Sequence, residues 1–320
     1  MSYRPPAWLP GGDLQTLWAA AMPRPKIDYR RQRWELSDGD FIDLDWLDGP
    51  PEAPLVVLFH GLEGSSDSHY ARFLMAALRR RGWRGVVAHF RGCSGELNRL
   101  PHAYHSGYSE EIERVLSYLH AGNAGASLHA IGVSLGGNAL LKWLGEKGSA
   151  ARPILQRAAA VSAPLDLPTA GAALSSGFGL IYGANFLRTL KHKARAKLKY
   201  HALPYDRRAL AKAATLRAFD NVVTAPLHGF RNADDYWARC ASKPYLKTIG
   251  VPTLVLNARN DPFMPASSLP VTEDVSAFVH LEFPDNGGHV GFVSGPLPGN
   301  QDWLTGCLLG FLAGTANQDR

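Results

Sequence analysis

Cysteine is scarce in this chain: three among 320 residues, at Cys93, Cys240 and Cys307. They are too few and too scattered for a disulfide framework, which points to a reducing, cytoplasmic setting. Long hydrophobic runs are also missing. The apolar stretch Trp303 to Ala313 is too short to span a bilayer and reads as a closing amphipathic helix. Leu14 to Met22 is apolar too, but Asp13 and several prolines surround it, and the charged and hydrophobic regions of a secretory signal are absent. Repeats and low-complexity tracts are lacking. His102 and His105 form only an H-x-x-H string with no carboxylate pattern around it, so neither a metal nor a cofactor is expected.

Against these absences stands a composition that is 46% hydrophobic, enough for a large core at this length. Arg33 to Leu47 reads as one or two antiparallel edge strands. Strands near 55–60, 85–90, 128–133, 157–162, 252–258 and 278–283 then alternate with helical segments over Tyr70 to Arg81, Glu110 to His120, Leu135 to Lys147 and Asp302 to Leu312. Such alternation predicts an α/β fold, a mostly parallel twisted sheet with helices on both faces.

Gly132-Val133-Ser134-Leu135-Gly136 falls where the strand ending at Val133 meets the helix beginning at Leu135. A G-x-S-x-G string is weak evidence in isolation, but at a strand-to-helix junction it is the place for a nucleophile elbow. The glycines on either side let the chain turn sharply, and the following helix directs its first amides at the serine. Upstream, the apolar run Leu55 to Phe59 ends in His60-Gly61-Leu62-Glu63-Gly64. In this arrangement the backbone N–H groups of Leu62 and Leu135 are the candidate oxyanion-hole donors. A carboxylate in the hole would oppose an oxyanion, so Glu63 is expected to point away and bond to nearby backbone.

A serine hydroxyl needs a base, and the base needs an orienting acid. In chain order Ser–acid–His, Asp261 follows the strand ending near Ala258, and His289 lies on the glycine-rich loop after the strand ending at Phe283. Asp285 is the rival acid, but it shares its loop with His289. Among twelve histidines, His60 is read as a stabiliser of its own loop and His89 as a satisfied strand-end residue. Cys93 lacks an elbow and is read as a small loop residue.

Several stretches together resemble the YheT-like hydrolases, which are related to yeast medium-chain ethyl-ester esterases/acyltransferases and to a group of mammalian α/β-hydrolase-domain proteins. They are Trp8-Leu9-Pro10-Gly11-Gly12-Asp13-Leu14-Gln15-Thr16-Leu17, the loop from His60 to Ser65, His89 to Glu96, Tyr104 to Gly107, Gly132 to Asn138, Asp261 to Met264 and Gly287 to Phe292. The resemblance covers nearly the whole chain. It implies an α/β-hydrolase fold, a charge relay of Ser134, Asp261 and His289, and esterase or lipase-like activity on acyl esters.

The interval Ala163 to Gly250 is too long for a simple crossover, so it is expected to hold a helical cap together with a returning core helix. The core is then 1–162 and 251–320, with an N-terminal extension over 1–30, and the cap is 163–250. Phe178 and Ile181 are the expected acyl-pocket lining, which predicts rates rising from acetyl toward medium-chain esters. Arg188, Lys191, Lys193, Arg195, Lys197 and Lys199 crowd one helical segment and account for much of the net charge of +6. A solvated helix face is the ordinary reading, with peripheral contact to anionic lipid as the alternative. No nucleic-acid motif accompanies the charge. The expectation is thus a serine-dependent carboxylic ester hydrolase for short- to medium-chain acyl esters. Acyl transfer to an alcohol by the same triad is one alternative, and a catalytically silent binding module is another. Composition leaves the oligomeric state open.

Overall fold

The strand Leu55–Phe59 shows how the sheet is built: every residue is buried, and successive side chains enter opposite layers. Leu55, Val57 and Phe59 pack with one core, and Val56 and Leu58 with the other. Side chains alternate across a strand, so a strand covered on both faces must be apolar throughout. The computed structural model describes residues 3–123, 125–175 and 179–315.

The sheet comprises β1 (Arg30–Glu35), β2 (Phe41–Leu47), β3 (Leu55–Phe59), β4 (Arg84–Ala88), β5 (Leu128–Val133), β6 (Arg157–Val161), β7 (Thr253–Leu256) and β8 (Val279–Glu282). Its order is β1-β2-β4-β3-β5-β6-β7-β8. The pairs β1–β2 and β2–β4 are antiparallel, and the others are parallel. The arginines of β1 suit an exposed edge, where charge discourages pairing with another chain.

Helix α1 (Gly12–Ala21) precedes the sheet. Helices α2 (His69–Arg80), α3 (Ser109–Gly122) and α4 (Leu135–Lys147) alternate with the strands. The core on one face takes Ile112 and Leu116 from α3 and Leu140 and Trp143 from α4. The opposite core takes Leu74 and Leu78 from α2 and Leu304 and Leu308 from the last helix.

Between β6 and β7 the chain forms α5 (Leu167–Ala173), α6 (Gly179–Lys197), α7 (Arg207–Lys212), α8 (Leu216–Phe219), α9 (Ala225–Leu227) and α10 (Ala233–Cys240). A π turn over Asp220–Thr224 joins α8 to α9. This layer has small cores of its own, one around Leu187, Leu210 and Phe219 and one around Leu167, Tyr236 and Trp237. The return to the sheet is a 3-10 turn over Lys243–Thr248, packed on α4 so closely that a Cβ at Gly145 would strike Tyr245. The chain closes with α11 (Asp302–Leu312). Parallel strands carry their loops to one end of the sheet, and chain order reverses around β3. Ligands of open α/β sheets bind there.

Candidate active site

Ser134 has φ 51° and ψ −121°, a backbone conformation that a residue with a Cβ adopts only under constraint. Its surroundings supply the constraint. The Ser134 N–H donates to the Val161 carbonyl at 2.8 Å. A Cβ at Gly132 would lie 2.5 Å from the Gly136 carbonyl oxygen, and one at Gly136 would strike the carbonyl oxygen of Phe59. The two glycines are therefore required by the close passage of β5, α4 and the end of β3. Ser134 is left projecting from the turn.

The structure brings the three dispersed candidates together. His289 Nε2 lies 3.0 Å from Ser134 Oγ, and His289 Nδ1 lies 2.9 Å from Asp261 Oδ2. The other Asp261 oxygen accepts the Phe263 N–H at 2.8 Å. The Asp261 side chain is fully buried and that of His289 nearly so. Asp285, the rival, is exposed and faces Arg259 at 3.7 Å.

Leu62 and Leu135 both face the same cavity as Ser134 and His289. Leu135 opens α4, so its N–H has no carbonyl one turn back to bind. Leu62 is aimed by its neighbour. The Gly61 carbonyl accepts from Gly64 N–H at 2.9 Å and from His60 Nδ1 at 2.7 Å. A trans peptide places the following N–H on the opposite side of that carbonyl, so anchoring Gly61 directs the Leu62 N–H. His60 Nε2 in turn accepts the Phe90 N–H at 3.1 Å. Burial pulls His60 down to about 3, keeping it neutral, and these two bonds put its proton on Nδ1. His89 bonds to Asp45 at 2.9 Å, and the Arg91 guanidinium is enclosed by Asp38, Asp40 and Glu111. Cys93 is buried, which pushes its thiol up to about 11.

Residues that motif reading left without a role hold the Asp261 and His289 loops. Thr16 Oγ1 accepts the His289 N–H at 2.8 Å, and Gln15 Oε1 accepts the Gly287 N–H at 2.8 Å. Gln15 also binds Asn260 at 3.2 Å, and Asn260 Oδ1 accepts the Gly288 N–H at 3.0 Å. A Cβ at Gly12 would run into the Asn260 carbonyl, and one at Gly288 would lie 2.5 Å from the Gly12 carbonyl oxygen. On the far side, Gln301 donates to the carbonyls of Val290 at 3.0 Å and Gly291 at 2.9 Å, and His69 Nε2 lies 3.1 Å from the Val290 carbonyl. Gln15 is fully buried, and a buried amide needs such partners, but neither its burial nor its partners can be read from the local sequence.

The cavity encloses about 170 Å³ and lies between the sheet end and the cap. Leu167, Leu174, Phe186, Leu190, Phe219 and Val223 give it an apolar side. Two expectations for the cap need correction. Ile181 is 63% exposed and is not part of the lining; Phe178 lies outside the described residues. The inward face of α6 is instead Phe186, Leu190, Lys193, Ala194 and Lys197, a helical stripe on which Ile181 does not fall. The basic run is likewise not one solvated face. Lys197 is buried, its Nζ bonded to the carbonyls of Leu100 at 2.8 Å, Pro101 at 3.1 Å and His102 at 2.7 Å. Lys193 reaches Glu63 at 2.8 Å. Arg188, Arg195 and Lys199 remain exposed. Glu63 also departs from expectation, since its carboxylate binds the Tyr104 hydroxyl at 2.9 Å and Lys193 rather than backbone.

No group of three or more His, Cys, Asp or Glu suited to a metal occurs among the described residues. Nor is any helix among them long and apolar enough to cross a membrane.

Comparison with known proteins identifies the family. The alpha/beta hydrolase fold family matches residues 54–296. The chain is 42% identical over 278 residues to YheT of Escherichia coli (strain K12), provisionally named an esterase, covering 85% of this chain and 81% of that protein. It is 31% identical over 308 residues to Phospholipase ABHD3 of Mus musculus, covering 93% and 74%. The solved esterase Pf2001 of Pyrococcus furiosus superposes with a TM-score of 0.58 at 16% identity, covering 90% of this chain and 91% of that one, a likeness of fold alone. The continuous match across β3 to the His289 loop, with the relatives' identity over most of its length, places this chain in the α/β-hydrolase family, on its YheT-like branch.

Proposed function

We propose that this chain, a carboxylic ester hydrolase of the α/β-hydrolase family, cleaves short- to medium-chain acyl esters through an acyl-Ser134 intermediate. One observation carries the reading: the Ser134–His289–Asp261 hydrogen-bond chain opens onto a largely apolar cavity that Leu62 and Leu135 also line.

In the first step His289 Nε2 takes the Ser134 proton as Oγ bonds to the ester carbonyl carbon. The carbonyl oxygen becomes an oxyanion facing the two amides, and one such donor typically contributes about 3 kcal/mol to the transition state. Asp261 keeps the proton on Nδ1 and stabilises the imidazolium. The C–O bond to the alcohol then breaks, and the departing alkoxide takes the proton from Nε2. Water repeats the sequence on acyl-Ser134, giving it a proton back and releasing the acid. An apolar cavity of about 150 Å³ accommodates benzene, so the space here suits an acyl chain of roughly six carbons.

Fluorophosphonate labelling together with an ester panel of graded chain length tests the proposal. Labelling confined to Ser134 and a kcat/KM that peaks between butanoyl and octanoyl are expected. A profile declining steadily from acetyl would refute the chain-length assignment, and labelling that persists in Ser134→Ala would refute the nucleophile. Arg188, Arg195 and Lys199 are the cations left to meet anionic lipid, and retention of the protein on anionic but not neutral vesicles would support that contact.

A further inference from the structure

Glu63 follows directly after the oxyanion donor Leu62 and carries φ 55°, a left-handed backbone that a glutamate does not adopt unaided. Both ends of the residue are held. Its N–H donates to the Tyr104 hydroxyl at 2.7 Å, and that hydroxyl donates to Glu63 Oε1 at 2.9 Å. Lys193 Nζ donates to the same oxygen at 2.8 Å, reaching from cap helix α6. The Glu63 side chain is 8% exposed. Both Glu63 and Lys193 line the cavity that holds Ser134.

The neighbouring cations are engaged elsewhere. Arg91 is committed to Asp38, Asp40 and Glu111, and Lys197 to three carbonyl oxygens. Lys193 is thus the ammonium that offsets Glu63. Burial opposes its charge, but Cys93 and Glu63 outweigh that and raise it overall. A carboxylate without a partner beside a developing oxyanion would repel it most strongly in the transition state, because the negative charge forms there.

We propose that Lys193 is a positioning residue of the oxyanion hole: reaching from the cap, it neutralises Glu63 beside the Leu62 donor, so that no uncompensated carboxylate faces the developing oxyanion. The inference rests on the acyl-Ser134 reading above. It separates two roles for one ion pair. If the pair merely docks the cap, losing it weakens substrate binding. If it also removes a charge from beside the oxyanion, losing Lys193 alone leaves an anion behind, and removing that anion too restores the rate.

The test measures kcat and KM on 4-nitrophenyl butyrate for Lys193→Met, Lys193→Arg and the double variant Lys193→Met/Glu63→Gln, with thermal melts of each. Lys193→Met should lose roughly 10- to 100-fold in kcat while KM stays within about threefold, a fraction of what deleting an oxyanion donor costs. Lys193→Arg should recover most of that loss, and the double variant should return to within about fivefold of wild type. A double variant no faster than Lys193→Met, or a loss confined to KM, would overturn the proposal. If Lys193→Met does not fold, Lys193→Gln carries the same comparison. Ser134→Ala run alongside separates the two failures. If it stays active the nucleophile is wrong; if it is inactive while the Lys193 series stays flat, only the positioning role is lost.

Discussion

The hydrolase core and the cap contribute to one cavity but determine their residues differently. In the core, the backbone decides. Ser134 is fixed by glycine contacts around the elbow, the proposed oxyanion donors are main-chain amides, and His289 is held through its own N–H by Thr16. In the cap, the side of a helix decides. Phe186 and Leu190 enter the cavity, while Ile181 of the same helix faces solvent. Core substitutions should therefore change rate, and substitutions in the apolar lining of the cap should change selectivity; Lys193, which reaches from the cap to the Leu62 loop, groups with the core.

The largest effect is expected at the proposed nucleophile. Ser134→Ala should lower turnover on the order of a million-fold, and Asp261→Asn about 10⁴-fold, in ester hydrolysis assays. More than a few per cent residual activity in Ser134→Ala would break the comparison at its core end.

Thr16→Val probes whether distant backbone support counts as core. It removes the acceptor of the His289 N–H while keeping the side chain's volume. A drop of roughly tenfold or more in kcat with KM held is expected, since an ångström of misplacement is costly, and Thr16→Ser should restore most of it. A change in KM alone would place α1 with the cap in its effects.

At the cap end, Leu190→Asp should leave acetyl ester hydrolysis within about threefold. It should lower the hexanoyl-to-acetyl ratio of kcat/KM by roughly tenfold, because methylenes that contribute about 0.8 kcal/mol each would meet a charge. A uniform loss at every chain length would blur the distinction between core and cap.

The smallest expected effect is on stability. Asp220 accepts from Thr224 Oγ1 at 2.6 Å and from Trp237 Nε1 at 2.9 Å. Burial nevertheless raises its carboxyl to about 6. An acid raised on folding binds its proton more tightly in the native state, so this group's contribution is greatest below pH 4 and declines as pH rises through 6. Asp220→Asn should flatten that window. The melting-temperature difference between variant and wild type should grow in the variant's favour from pH 4 to pH 6. A pH-independent difference would mean that Asp220 does not titrate there.

The strands were legible because a two-sided sheet demands apolar runs such as Leu55–Phe59 and Ala158–Val161, and few other structures use them. The candidate triad residues were legible because chain order and loop chemistry leave few positions for an acid and a base. The support around them was not. Gln15 and Thr16 meet partners 272 and 273 residues away, a separation no local pattern encodes. The basic run failed for a related reason. Charge alone suggests a solvated face, but Lys197 is buried because three carbonyl oxygens converge on its ammonium and replace water. Ile181 was misplaced because composition was read where phase mattered: a stripe drawn from Phe186 at helical spacing reaches Leu190 and Ala194.

The clasp of α1 on the His289 loop also sets a timetable for the nascent chain. Thr16 is synthesised 273 residues ahead of the amide it receives. At 5–20 residues per second that is roughly 14 to 55 seconds. For most of that wait Gln15, fully buried in the finished fold, lacks its partners: Asn260 follows it by 245 residues and Gly287 by 272. The elbow around Ser134 is built from β3, β5, α4 and β6, all synthesised well before the His289 loop, which follows the last strand and is clamped on its far side only after Gln301 emerges. On the proposed mechanism hydrolytic competence is thus a late event of synthesis, and a chain arrested before residue 289 would carry the Ser134 turn with no histidine above it.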